Sequence, residues 1–80
     1  VSGAQRLWAV GYFDGEAAEA LLQEAIATLP EMQRAVFVLR YYDEMKYADI
    51  SKIFDRTEGA LKASYHIAMQ KISEYIKYRN

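Results

Sequence analysis

The chain has 80 residues, 26% of them charged and 52% hydrophobic, and no cysteine. That length sets one domain with a modest core, able to bury roughly 60% of the unfolded surface. The missing cysteine excludes disulfides and thiolate metal sites and fits a reducing, cytoplasmic setting, and no apolar run approaches the roughly 18 residues needed to cross a bilayer.

The formal charge of −1 is unevenly spread. Up to Met45 there are three basic residues and seven acidic ones; from Lys46 onward there are seven basic and four acidic, with His66 in addition. A basic half on an acidic chain suggests that one end meets an anion, although a solvated surface can be lopsided by chance. No signal-peptide pattern opens the chain. Its first residue, Val1, leads us to expect a fragment of a longer protein.

Residues 1–13 have no clear period and read as a linker or tail, with Trp8 expected to fold back on the rest; residues 14–80 read as the domain. Asp14 suits an N-cap, and Glu16 places a carboxylate in the first turn, where the macrodipole favours it. A first helix over 15–28 follows, with Leu21, Leu22, Ala25, Ile26 and Leu29 at helical spacing. Pro30 ends it and suits the first turn of the next helix, predicted over 31–43. The run Ala35-Val36-Phe37-Val38-Leu39 is apolar nearly all round, which predicts a buried central helix. Asp43 to Lys46 form a short loop. A third helix over 47–54 is expected to bury Ile50, Ile53 and Phe54. Asp55-Arg56-Thr57 is a three-residue turn, and Thr57 caps a last helix over 58–78 with Leu61, Tyr65, Ala68, Ile72 and Ile76 inward. Leu61 and Ile72 are expected to pack on Val36, Ile50 and Phe54. The fold class is all-α, a four-helix helix-turn-helix domain with a three-helical core like that of winged helices, lacking the wing.

Two helices joined by a tight turn, the second with one apolar and one polar face, describe a helix-turn-helix. Asp55 stands where the backbone often turns left-handed, a conformation that a short polar side chain tolerates. With the inward stripe fixed, the outer face of the last helix carries Gly59, Lys62, Ala63, His66 and Gln70, with Ala60 and Ile67 at one flank. Small residues near its start let a helix settle into the major groove, while Lys62, His66 and Gln70 can donate to base edges or phosphates. Lys46, Lys52 and Arg56 flank the hairpin as candidate phosphate contacts.

Four segments in order carry a family resemblance: Leu29-Pro30-Glu31-Met32-Gln33-Arg34, Leu39-Arg40-Tyr41-Tyr42, Tyr47 to Phe54, and Thr57 to His66. Together they resemble region 4 of extracytoplasmic-function sigma factors, the promoter-specificity subunits of bacterial RNA polymerase, and the likeness covers about Leu21 to Ile76. It implies that the helix from Thr57 reads the promoter's minus thirty-five element and that another surface grips the beta-subunit flap of the polymerase core. An anti-sigma factor is a further partner of the kind. The apolar surplus of the first two helices leads us to expect that some of Leu22, Ile26, Phe37, Val38 and Tyr41 form an exposed groove for the flap or such a factor. The chain departs from the pattern at Ala63-Ser64-Tyr65-His66-Ile67-Ala68-Met69, where many relatives have Ser-Arg-Leu-His-Arg-Ala-Arg, and at Asp55, where glycine is usual. The inward positions survive these changes; three arginines do not.

Other roles have less support. His66 is the single histidine, with no carboxylates sharing its face, so no metal or cofactor is expected. Tyr41, Tyr42 and Tyr47 read as core or rim packing rather than base-stacking platforms. Glu31 and Arg34 read as a local helical pair, and Arg40 as half of a structural ion pair. No catalytic residue is expected: there is no Ser/His/Asp set, glycine-rich phosphate loop or H-E-x-x-H, and no small-molecule substrate is implied. Two other function classes stay open on the residues alone. One is a helical protein-interaction module that keeps the hairpin as scaffold, the other the output domain of a response regulator.

Overall fold

Four helices make up the computed structural model, which describes residues 15–79: α1 (Gly15–Ala27), α2 (Glu31–Tyr41), α3 (Tyr47–Phe54) and α4 (Glu58–Arg79). No strand occurs among the described residues. The expectations for residues 1–13 and for Asp14 as a cap lie outside them.

Each boundary has a local cause. The end of α1 tightens, with the N–H groups of Thr28 and Leu29 reaching the carbonyls of Ala25 and Ile26, both at 3.1 Å. The Thr28 hydroxyl adds a second donor to Ala25, and Arg34 reaches back to the Ala27 carbonyl at 3.3 Å. These donors satisfy carbonyls that a helix end otherwise leaves unpaired. Arg34 thus serves the preceding helix rather than pairing with Glu31. Pro30 stands at the N-cap of α2, with φ −56° and ψ 152°, one position before the first turn where the sequence reading put it. Its carbonyl accepts the Arg34 N–H at 2.9 Å, and its missing N–H is one that a helix start leaves without an intrahelical acceptor.

α2 stops at Tyr41, two residues short of the predicted end. Glu44 takes a left-handed φ of 52°, and the Met45 N–H returns to the Leu39 carbonyl at 3.1 Å. The chain therefore turns back on α2 before α3 begins.

α4 is the spine against which the other three helices pack. One core cluster gathers Leu22, Ala25, Ile26 and Leu29 with Phe37, Ala68 and Ile72. A second joins Val36, Ile50 and Leu61, with Met32, Leu39, Phe54 and Tyr47 packed around it. So α1 covers the C-terminal half of α4 and α3 covers its N-terminal half. Tyr65 sits at the junction, packed against both clusters, its ring stacked 5.5 Å from that of Phe37.

Two core expectations need correcting. Leu61 packs with Val36, Ile50 and Phe54 as expected, but Ile72 lies in the other cluster, about three turns further along α4. Ile53 is 57% exposed rather than buried. In a helix of only eight residues, Ile50 and Phe54 supply the inward positions, and Ile53 falls 100° round from Phe54.

Candidate nucleic-acid interface

The hairpin of α3 and α4 is built by its turn. Asp55 adopts φ 54° and ψ 47°, the left-handed conformation expected of it, and its N–H bonds the Ser51 carbonyl. The Arg56 N–H reaches the same carbonyl at 3.4 Å, and the Ser51 hydroxyl donates to the Arg56 carbonyl. The Asp55 bond is that of the simple left-handed helix stop, and the Arg56 bond adds the longer 6→1 contact of a Schellman turn. Thr57 then caps α4: its Oγ1 accepts the Ala60 N–H at 3.1 Å, and its carbonyl accepts the Leu61 N–H at 3.1 Å. Leu61, held one turn in, anchors α4 to Val36 and Ile50.

With Leu61, Ala68 and Ile72 buried, the opposite side of α4 is left free. Gly59, Lys62, Ala63, His66 and Gln70 are all exposed on it, and Lys46, Lys52 and Arg56 are exposed around the hairpin. Every residue that the sequence offered for DNA contact is therefore open to a partner. His66 and Gln70 also border a shallow surface depression with Met69, Ser73, Glu74 and Lys77, which continues the polar stripe along α4.

Nothing in the domain demands Gly59. A Cβ built there meets no atom within 4 Å. Gly15, at the start of α1, meets nothing either, so the backbone at both helix starts is left uncovered.

Tyr47, read from the sequence as packing, also lies between two cations. The Arg40 guanidinium lies 4.9 Å from its ring centroid and the Lys62 ammonium 5.7 Å from it. Arg40 also donates to the Met45 carbonyl at 2.9 Å. Its role is structural, as expected, but it works through a carbonyl and an aromatic ring rather than an ion pair. Its spacing of seven from Tyr47 crosses a loop, so no helical periodicity could have revealed the contact.

The apolar groove expected on the first two helices is largely absent. Leu22, Ile26 and Phe37 are buried, because the C-terminal half of α4 lies over them. Val38 and Tyr41 remain half-exposed at the edge of that cluster. Beside them the Tyr42 hydroxyl donates to the Glu19 carboxylate at 2.9 Å and accepts from Gln23 at 2.8 Å, tying α2 to α1. Burial, and next the hydrogen bond to Glu19, push the Tyr42 phenol up to about 12. All three tyrosines singled out in the sequence pack as core or rim. Among the described residues no group of three or more His, Cys, Asp or Glu could hold a metal ion.

Residues 19–72 match the family model for sigma-70, region 4. The chain belongs to that family. The match holds all eight candidate DNA-contact residues, α3, the turn and α4 as far as Ile72, and it decides for a sigma factor over a response-regulator output domain. Region 4 is a promoter-recognition helix-turn-helix, a DNA-binding part of the transcription machinery and not an enzyme. The chain is also similar to the RNA polymerase sigma-E factor of Streptomyces antibioticus, with 30% identity over 61 residues. That stretch is 76% of this chain and 34% of the relative, so the chain spans about a third of the relative's length. No solved structure matches. No helix of this region 4 domain, among the described residues, is long and apolar enough to cross a membrane.

Proposed function

We propose that the chain is the promoter-reading domain of an extracytoplasmic-function sigma factor, and that α4 enters the major groove of the minus thirty-five element. In this reading Gly59 and Ala63 allow close approach, Lys62, His66 and Gln70 donate to base edges or phosphates, and Lys46, Lys52 and Arg56 hold the flanking backbone. The observation that carries it is the exposed polar face of α4 behind the Thr57 cap, where Gly59, Lys62, Ala63, His66 and Gln70 all lie open. The domain would work in the cytoplasm, held to the RNA polymerase core by the beta-subunit flap. A polymerase partner is in keeping with the relative's name. Val38, Tyr41 and the neighbouring Tyr42 are the side chains on the first two helices open to the flap or to an anti-sigma factor.

The test is selection from a pool of randomised duplexes by this chain together with polymerase core. One sequence class should be enriched, and Gly59→Leu should abolish the enrichment while melting like the parent. If the parent enriches nothing, or the leucine variant enriches the same class equally well, α4 does not read the groove by its start.

A further inference from the structure

The ring of Tyr47 is gripped from several sides. It packs against the cluster of Val36, Ile50 and Leu61, Tyr65 meets it edge-on at 6.5 Å with planes 79° apart, and the Arg40 guanidinium lies 4.9 Å from its centroid. Arg40 is itself fixed, because it donates to the Met45 carbonyl at 2.9 Å in the loop just before α3. The core on one side and the loop-bound Arg40 on another hold the ring where Lys62 meets it. Lys62 is exposed, and its ammonium lies 5.7 Å from that ring centroid. This is within the reach of a cation–π contact, about 6 Å.

We propose that Tyr47 is a positioning residue for DNA contact by Lys62, a role that rests on the reading of α4 given above. A free lysine samples many rotamers and loses most of them on binding. Attraction to a fixed ring restricts the Lys62 stem before DNA arrives, so less freedom is lost in the complex. The ammonium keeps its three donors for phosphate or base, since the ring attracts charge without accepting a hydrogen bond in a fixed direction. Tyr47 thus links the loop after α2 to the strength of the contact on α4. An exposed cation–π contact corresponds to about a two- to fivefold change in affinity.

The test uses Tyr47→Phe, which keeps the ring, and Tyr47→Leu, which keeps an apolar body against Val36 and Ile50. Each is made alone and with Lys62→Ala. Binding to the duplex enriched by the selection is followed by fluorescence anisotropy at low salt, and proton NMR of the free chain reads the Lys62 ε-methylene. Tyr47→Phe should bind as the parent does and Tyr47→Leu about two- to fivefold more weakly. Neither should weaken binding further once Lys62 is alanine. The ε-methylene protons should be shifted upfield by the ring current in the parent and in Tyr47→Phe, and not in Tyr47→Leu.

Three results overturn the role: equal weakening by Tyr47→Leu with and without Lys62, binding by Tyr47→Leu that matches or exceeds the parent's, or loss in Tyr47→Phe as large as in Tyr47→Leu. Should Tyr47→Leu fail to fold, the parent's spectrum decides, because ε-methylene protons at unshifted positions also overturn it. A parent that binds no duplex sinks the DNA reading itself, and the positioning role with it. A binding parent with an inert Tyr47 sinks the positioning role alone.

Discussion

Ser51 and Arg56 close the turn of the hairpin on each other: the Ser51 carbonyl accepts the Arg56 N–H at 3.4 Å while the Ser51 hydroxyl donates to the Arg56 carbonyl. The clasp holds Asp55 left-handed between them, at φ 54°. A non-glycine residue in that conformation costs roughly 1–2 kcal/mol, less when a short polar side chain bonds locally. Asp55→Gly should therefore raise stability by up to about 1 kcal/mol, and Asp55→Val should lower it by about 1–2 kcal/mol. Chemical denaturation ranks the three. A valine variant as stable as the parent would mean that the turn relaxes to another conformation.

Leu61 and Ile53 give a sharper contrast, since both are large aliphatics of the hairpin. Leu61 is 1% exposed and Ile53 57%. Leu61→Ala should cost on the order of 2–5 kcal/mol as a large-to-small change in a packed core, a large share of the stability of so small a domain. Ile53→Ala should change it by less than about 0.5 kcal/mol, as surface substitutions usually do. Denaturant midpoints at constant slope decide. Comparable losses from the two would place Ile53 in the core after all.

The same two residues mark what the sequence made legible. Long stripes such as Leu61, Ala68 and Ile72 fix the facing of a 22-residue helix, because each position is constrained by several others. Caps and stops were readable too, at Thr57 and Asp55, since their chemistry is local. In α3, eight residues give barely two turns, so periodicity could not decide between Ile53 and Phe54 for the inward place. Read from the sequence alone, Phe37 and Ile26 are surplus to the first two helices and suggest a groove. Their partners, Ala68 and Ile72, lie more than thirty residues away, and no local pattern announces that α4 folds over them. The left-handed Glu44 was missed for a different reason. Glutamate carries no turn signal of its own, and the loop is set by the return of the Met45 N–H to Leu39.

Alkaline pH should weaken the fold. In the folded chain burial, and next the hydrogen bond to Glu19, hold the Tyr42 phenol protonated, raising its pKa from 10.0 to about 12. Tyr41, Tyr65 and Tyr75 are raised as well, each first by burial. A folded pKa above the unfolded one gives a contribution that is complete below the unfolded value and is lost as pH rises through the folded one. The urea midpoint should therefore hold steady to about pH 9.5 and fall above it. Tyr42→Phe should shallow that fall. If the variant and the parent decline in parallel, the Glu19 bond to Tyr42 does not persist in solution.

Gly59 separates folding from function. Since a Cβ there meets nothing within 4 Å, Gly59→Ala should leave the fold intact and stabilise it by up to about 1 kcal/mol. A bulkier Gly59→Leu should fold equally well and lose promoter binding in the way argued above. Thermal melting in parallel with anisotropy separates the two effects. A destabilised alanine variant would show that the start of α4 depends on glycine for its backbone.

The strength of DNA binding follows from the count of usable cations. Affinity for a duplex rests largely on phosphate neutralisation, and each contact contributes roughly −0.9 to the slope of log affinity against log salt. The exposed cations on or near the hairpin and over the first four turns of α4 are Lys46, Lys52, Arg56, Lys62 and Lys71, on a chain of net charge −1. Five contacts set a slope no steeper than about −4.5. The isolated chain should then bind with a Kd no tighter than about 10⁻⁶–10⁻⁴ M at physiological salt, the range of non-specific binding. Useful occupancy would come from tethering to the polymerase core, which raises effective concentration without adding a contact to DNA. Lys62→Ala should cost about 1–3 kcal/mol and relax preference at one position if Lys62 reads a base. If it meets a phosphate, the loss should be uniform across sequences and the salt slope smaller by about one. A salt titration of parent and variant on two unrelated duplexes tells these apart. Nanomolar binding by the isolated chain at physiological salt would contradict the need for a tether, and a Lys62→Ala variant matching the parent on both duplexes would remove Lys62 from the reading face.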